Sequence, residues 1–123
     1  MTRPARTLLV FGIYLACVGL ALMFVPNVVL RLFAMPVTQE VWIRIVGMLA
    51  LYLAVYDLAA ARGNWAGFIA LSIPLRLVVI VFFGLFVLLA SAPPMLLLFA
   101  LPDFAFALWT WVALRQAPEP SGR

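Results

Sequence analysis

The chain has no lysine, no histidine, one cysteine and only four acidic residues among 123. Each scarcity excludes something. Without histidine, the commonest metal ligand and the usual acid–base group near neutral pH are missing. No metal site and no cofactor is expected. Without lysine there is no amine for a Schiff base, as a retinal protein requires. Cys17 stands alone, so it forms no internal disulfide and no paired thiol redox centre. It lies within an apolar run and reads as a small buried hydrophobe. No glycine-rich phosphate loop, no neighbouring carboxylates and no nucleophile–base arrangement stand out along the chain. The net charge of +4 comes from arginines scattered singly, mostly at the ends of apolar runs. A nucleic-acid surface would cluster them.

What remains is apolar. Hydrophobic residues make up 68% of the chain and charged residues 10%, whereas a soluble domain is about half apolar and about a quarter charged. A soluble chain this short cannot bury so much apolar surface, because small domains hide only about two-thirds of theirs. Lipid must be the solvent. The pattern predicts an all-α, integral membrane bundle of four transmembrane helices in a single domain, 1–123. The expected spans are 7–25, 38–61, 65–89 and 94–114, each near the roughly 20 residues that cross the hydrocarbon. Pro26-Asn27 ends the first. Thr38 is the expected N-cap of the second, and Gly63-Asn64 the turn after it. Pro93-Pro94 suits the first turn of the fourth. The N-terminal run is long for a signal-peptide core and lacks a small-x-small site, so it reads as a retained helix. The tail 116–123 is expected to be disordered. Residues 26–37 are too short to span; they suit an interfacial helical turn, with Arg31 snorkelling to the headgroups, or an apolar loop packed on the bundle.

Four spans put both termini on one side, with Arg3, Arg6, Arg62, Arg115 and Arg123. Arg31 lies on the other, and Arg44 a little way inside the second span. Positive residues are retained in the cytoplasm, so both termini are expected there. Trp42 near one interface, and Trp65, Trp109 and Trp111 near the other, fit an aromatic belt.

Four ionisable residues fall within the spans: Arg44, Asp57, Arg76 and Asp103. A charge at membrane depth costs at least about 2.5–3.5 kcal/mol and is kept when it pairs or acts. Counting about 1.5 Å per residue from Gly63 puts Asp57 roughly 6 Å deep, Arg76 roughly 15 Å, Asp103 roughly 23 Å and Arg44 roughly 25 Å. Arg76 is then in reach of either aspartate, and Arg44 either meets Asp103 or snorkels outward, so Arg–Asp pairs are expected. On the second span Gly47, Ala54, Asp57 and Ala61 fall within about 80° of arc. This is a small-residue stripe of the kind that close packing in lipid requires. Gly12, Ala16 and Gly19 form another on the first. Pro74 lies two residues before Arg76 and Pro102 just before Asp103; each frees a carbonyl, of Ala70 and Leu98. The expected result is a polar pocket near mid-membrane, with Tyr52, Tyr56 and Ser72 as possible lining. Asn64 is expected to make the turn.

Some small four-helix families do not fit. Small multidrug transporters carry a glutamate in their first helix, and disulfide-forming oxidoreductases carry paired cysteines. The run Arg44-Ile-Val-Gly47, the segment Asp57-Leu-Ala-Ala60-Ala61-Arg62 and Arg76 in the third span resemble small bacterial membrane proteins of the DoxX-like sort. That resemblance implies a four-helix fold in a bacterial inner membrane and carries no functional residues with it. Three functional readings follow. One is a non-enzymatic accessory subunit or homo-oligomeric module whose charges fix helix register. Another is a carrier or channel for a small anion or amphipathic molecule, in which Arg76 and Arg44 contact the ligand and Asp57 and Asp103 position them. An enzyme using Asp57 or Asp103 as acid or base is the weakest. A dry, closed charge cluster favours the first; an arginine lining an open cavity favours the second.

Overall fold

A computed structural model describes residues 2–116. Among them the elements are helical: α1 (Arg3–Phe24), α2 (Pro26–Leu32), α3 (Trp42–Arg62), α4 (Ala66–Leu89), a 3-10 turn (Pro94–Leu96) and α5 (Leu97–Gln116). Four helices are long and apolar enough to cross a membrane. The protein is an all-α, multi-pass membrane bundle. The expected disordered tail lies outside the described residues, apart from Gln116 at the end of α5.

Helix boundaries follow local chemistry. α1 starts earlier than the apolar run suggests, because the Thr2 hydroxyl accepts from the Ala5 N–H at 3.2 Å and Pro4 occupies the first turn. Pro26 ends α1 and opens α2, so of the two readings of this connection the helical one is found. The start of α3 is a correction: the helix begins at Trp42, not at Thr38. The Thr38 hydroxyl caps the nearby Glu40 N–H instead, at 3.1 Å, and the Thr38 N–H donates to Asn27 Oδ1 at 2.9 Å. The loop is thereby tied down onto α2, and no helix starts there. Asn64 turns the chain at φ 51°, and its Oδ1 accepts from the Thr2 N–H at 3.1 Å. This bond places the N-terminus beside the α3–α4 turn.

The order around the bundle is α3–α1–α5–α4. α1 packs along α3 and also on α5, and α5 packs on α4. α3 and α4 scarcely touch, although only Gly63–Trp65 separate them in sequence. Small residues explain the tight pair. A Cβ on Gly19 would lie 2.8 Å from Gly47 O, and one on Gly47 2.7 Å from Gly19 O. The two helices cross backbone to backbone, as small residues permit in lipid. Gly12 continues the contact, facing Leu58 and the Asp57 Cβ. One buried cluster joins Leu8, Phe11, Ala60 and Ile69 near the α3–α4 turn, and another joins Leu22, Leu30 and Ile43 at the opposite end. Cys17 is exposed on α1, not buried as its apolar surroundings suggested; a small side chain off the Gly12–Gly19 stripe has no neighbour to cover it.

Candidate functional site

The polar centre of the bundle is built around Arg76 on α4, which is only 6% exposed. Its Nε–H donates to the Ser72 carbonyl at 3.2 Å. Its Nη2 donates to the Ser72 hydroxyl and to the Thr110 hydroxyl of α5, each at 3.1 Å. The guanidinium lies over the Phe11 ring, 4.9 Å from its centroid, a cation–π contact that gains strength where water is excluded. Phe11 is itself packed against Tyr14 and Phe106. Side chains from three helices thus fix the guanidinium plane.

Thr110 extends the network. Its hydroxyl donates to the Phe106 carbonyl at 3.0 Å and meets the Thr7 hydroxyl of α1 at 2.6 Å. Thr7 in turn reaches the Pro4 carbonyl at 2.7 Å. Two hydroxyl protons serve three contacts here, so one contact is always without its proton. The Arg76 donation fills an acceptor site on Thr110 and makes the arrangement one unit across α1, α4 and α5.

The expected Arg–Asp pairs do not form. Among the described residues no arginine nitrogen comes within 4.0 Å of a carboxylate. Arg76 is instead held by neutral partners on its own helix and on α5. Asp57 is buried and Asp103 half-buried; both line the same cavity as Arg76 without touching it. Arg76 Nη1 is buried with no hydrogen-bond partner. A buried donor left unpaired costs about 1–3 kcal/mol, and more for a charged group.

Arg76, Asp57, Asp103 and Ser72 line a cavity of about 290 Å³. Its remaining walls are apolar: Phe11 and Leu15 of α1, Leu53 of α3, and Phe68, Leu71, Leu75 and Val79 of α4. The cavity occupies the gap where α3 and α4 fail to pack. Leu71 and Leu75 are 60% and 61% exposed, so the mouth faces sideways, into the bilayer. Ligand pockets run from roughly 300 to 1,000 Å³. This one suits a head group and the first part of a chain, with the remainder outside.

The other sequence candidates lie elsewhere. Tyr52 and Tyr56 are 57% and 58% exposed and face outward from α3, so they do not line the pocket. Arg44 is at the far end of α3, where its Nη1 donates to the Met23 carbonyl. That carbonyl is in the last turn of α1, where helical partners run out, so Arg44 caps α1 and takes no part in the cluster. Pro74 and Pro102 sit within unbroken helices α4 and α5.

Thr7, Phe11 and Thr110 complete the site and were not among the sequence candidates. A signal for Thr110 existed: it follows Asp103 by two turns and falls about 20° from it on a helical wheel. Comparison with protein families, with characterised proteins and with solved structures finds no match.

Proposed function

We propose that this protein binds an amphipathic molecule from the bilayer in the cleft between α3 and α4. One observation carries the reading: Arg76, Ser72, Asp57 and Asp103 together line an apolar-walled cavity in the bundle. The four polar side chains share one stretch of the wall, where a polar head would meet them. The apolar walls and sideways mouth suit a chain or ring that stays in lipid. Charge refines the class: one guanidinium and two carboxylates line the cavity, so a third negative charge, brought by the ligand, is disfavoured. A neutral head with a hydroxyl or carbonyl fits better than a small anion. It accepts from Arg76, and a hydroxyl also donates to Asp57 or Asp103. We place both termini in the cytoplasm of a bacterial inner membrane, on the support of Arg3, Arg6, Arg62 and Arg115 at one end of the bundle.

The test is photolabelling in lipid nanodiscs with a diazirine-bearing aliphatic alcohol and the matched carboxylate. The alcohol labels Leu71 and Leu75, and excess unlabelled alcohol suppresses it. Arg76→Gln reduces that labelling. Leu75→Trp, which fills the mouth at an exposed position, reduces it without unfolding the protein. Labelling spread evenly over all lipid-facing helices, or unchanged in both variants, rejects the site. Stronger labelling by the carboxylate would reverse the choice of head group.

The accessory-subunit reading keeps one supporting observation. α4 is the least buried span, and both its glycines, Gly67 and Gly84, have open space around them. Recovery from mild detergent in a constant ratio with another membrane protein, unaffected by Arg76→Gln, would favour that reading over ligand binding.

A further inference from the structure

The cleft leaves Arg44 unused, and Arg44 opens onto a second cavity at the opposite end of α3. This cavity, of about 230 Å³, is bounded by the end of α1, by α2, by the loop 38–40 and by the start of α3. Its charged lining is Arg31, Glu40 and Arg44. We propose that it holds the phosphate of a net-anionic phospholipid headgroup, gripped by Arg31 and Arg44.

The fold brings the two arginines together by a definite route. Pro26 breaks the chain and starts α2, which carries Arg31 in its last turn. The loop then returns over α2: the Met35 N–H donates to the Leu30 carbonyl at 2.8 Å, and the Thr38 N–H to Asn27 Oδ1 at 2.9 Å. Phe33 stacks on Phe99 of α5, with ring centroids 4.0 Å apart. These ties set Glu40 and the start of α3 beside Arg31. Arg44 is held by its bond to the Met23 carbonyl. That bond uses one of its five N–H donors. The rest, and all of Arg31, are free of carboxylate contacts among the described residues.

Location and charge choose the ligand. The cavity lies at the end of the spans and is flanked by exposed Phe24, Leu32 and Val41, side chains that belong against acyl chains. Headgroup phosphates are the anions found at that depth. Two arginines against one glutamate leave a formal charge of +1, which a headgroup of net −1 neutralises and a zwitterionic one does not. Arginine forks match phosphate oxygens in pairs. The site takes the head only, and the chains lie along α2 and α3.

The test is lipid retention by native mass spectrometry, using protein reconstituted with phosphatidylglycerol, phosphatidylethanolamine or phosphatidylcholine of identical chains. Wild type retains phosphatidylglycerol preferentially. Each arginine near a membrane surface contributes about five-fold, so Arg31→Gln lowers the preference about five-fold and Arg31→Gln/Arg44→Gln abolishes it. Glu40→Gln increases it. Arg31 is exposed and supports no internal contact, so its variant keeps the fold even if Arg44→Gln weakens it. Equal retention of all three lipids by wild type overturns the proposal, as does an unchanged preference in Arg31→Gln. Displacement of the lipid by millimolar glycerol phosphate would assign the cavity to a soluble phosphate ester instead and overturn the lipid assignment.

Discussion

α3 meets two partners in opposite ways. Against α1 it packs backbone to backbone, with Gly19 and Gly47 so close that a Cβ on either would collide with a main-chain atom. Against α4, its neighbour in sequence, it hardly packs, and a polar-floored cavity fills the gap. The difference follows from side-chain size. α1 and α3 offer glycine and alanine to each other. α4 turns Leu71, Leu75 and Arg76 toward the gap, and Arg76 draws its hydrogen bonds from Ser72 and from Thr110 of α5. In lipid, no hydrophobic force closes a gap between helices. A seam with little packing and no hydrogen bond to close it stays open, and here it stays open beside a buried cation.

That contrast can be broken from the closed side with the largest effect. Gly47→Leu forces a branched side chain into main chain and Leu22, where no flexible side-chain end can give way. We expect a loss of about 3 kcal/mol or more, seen as a large fall in thermal midpoint by circular dichroism in mild detergent. A midpoint within a few degrees of wild type would show that α1 and α3 do not need their close approach. Thr110→Val is nearly isosteric and removes the hydroxyl that joins Arg76 to Thr7. It costs about 1–3 kcal/mol, because the polar groups left behind stay buried. The same measurement checks it, and an effect under about 0.5 kcal/mol would mean that water replaces the hydroxyl. At the smallest end, Tyr52→Phe and Tyr56→Phe each change stability by less than about 0.5 kcal/mol and leave photolabelling of the cleft unaltered. A larger effect on labelling would return these tyrosines to the site.

Much of the fold was legible because lipid imposes it. An apolar run of about 20 residues has few alternatives to a spanning helix, and the stripes at Gly12–Gly19 and Gly47–Asp57 do mark the α1–α3 contact. The site was legible in part. Asp57, Arg76, Asp103 and Ser72 share one cavity. Arg44 does not, since depth along the bundle places residues on a common level but says nothing about which neighbour each one faces. Tyr52 and Tyr56 are about 140° and 100° from Asp57 around α3, so their outward position was readable from the same wheel that placed the stripe. The pairing of charges was not readable. Whether Arg76 meets an aspartate or a pair of hydroxyls depends on Thr110, a residue 34 positions away. Ahead of α3, Thr38 bonds to Asn27 across the loop and to Glu40, and the contact with Asn27 is one that no local pattern encodes.

The central claim is that the open α3–α4 seam holds an amphipathic molecule by Arg76. The most direct measurement is native mass spectrometry of the protein extracted gently from its own membrane, beside Arg76→Gln and Leu75→Trp. The account predicts a discrete small molecule with a neutral polar head on the wild type, and its loss from both variants while each remains folded. Wild type recovered without such a molecule, or one retained equally by all three proteins, would contradict it.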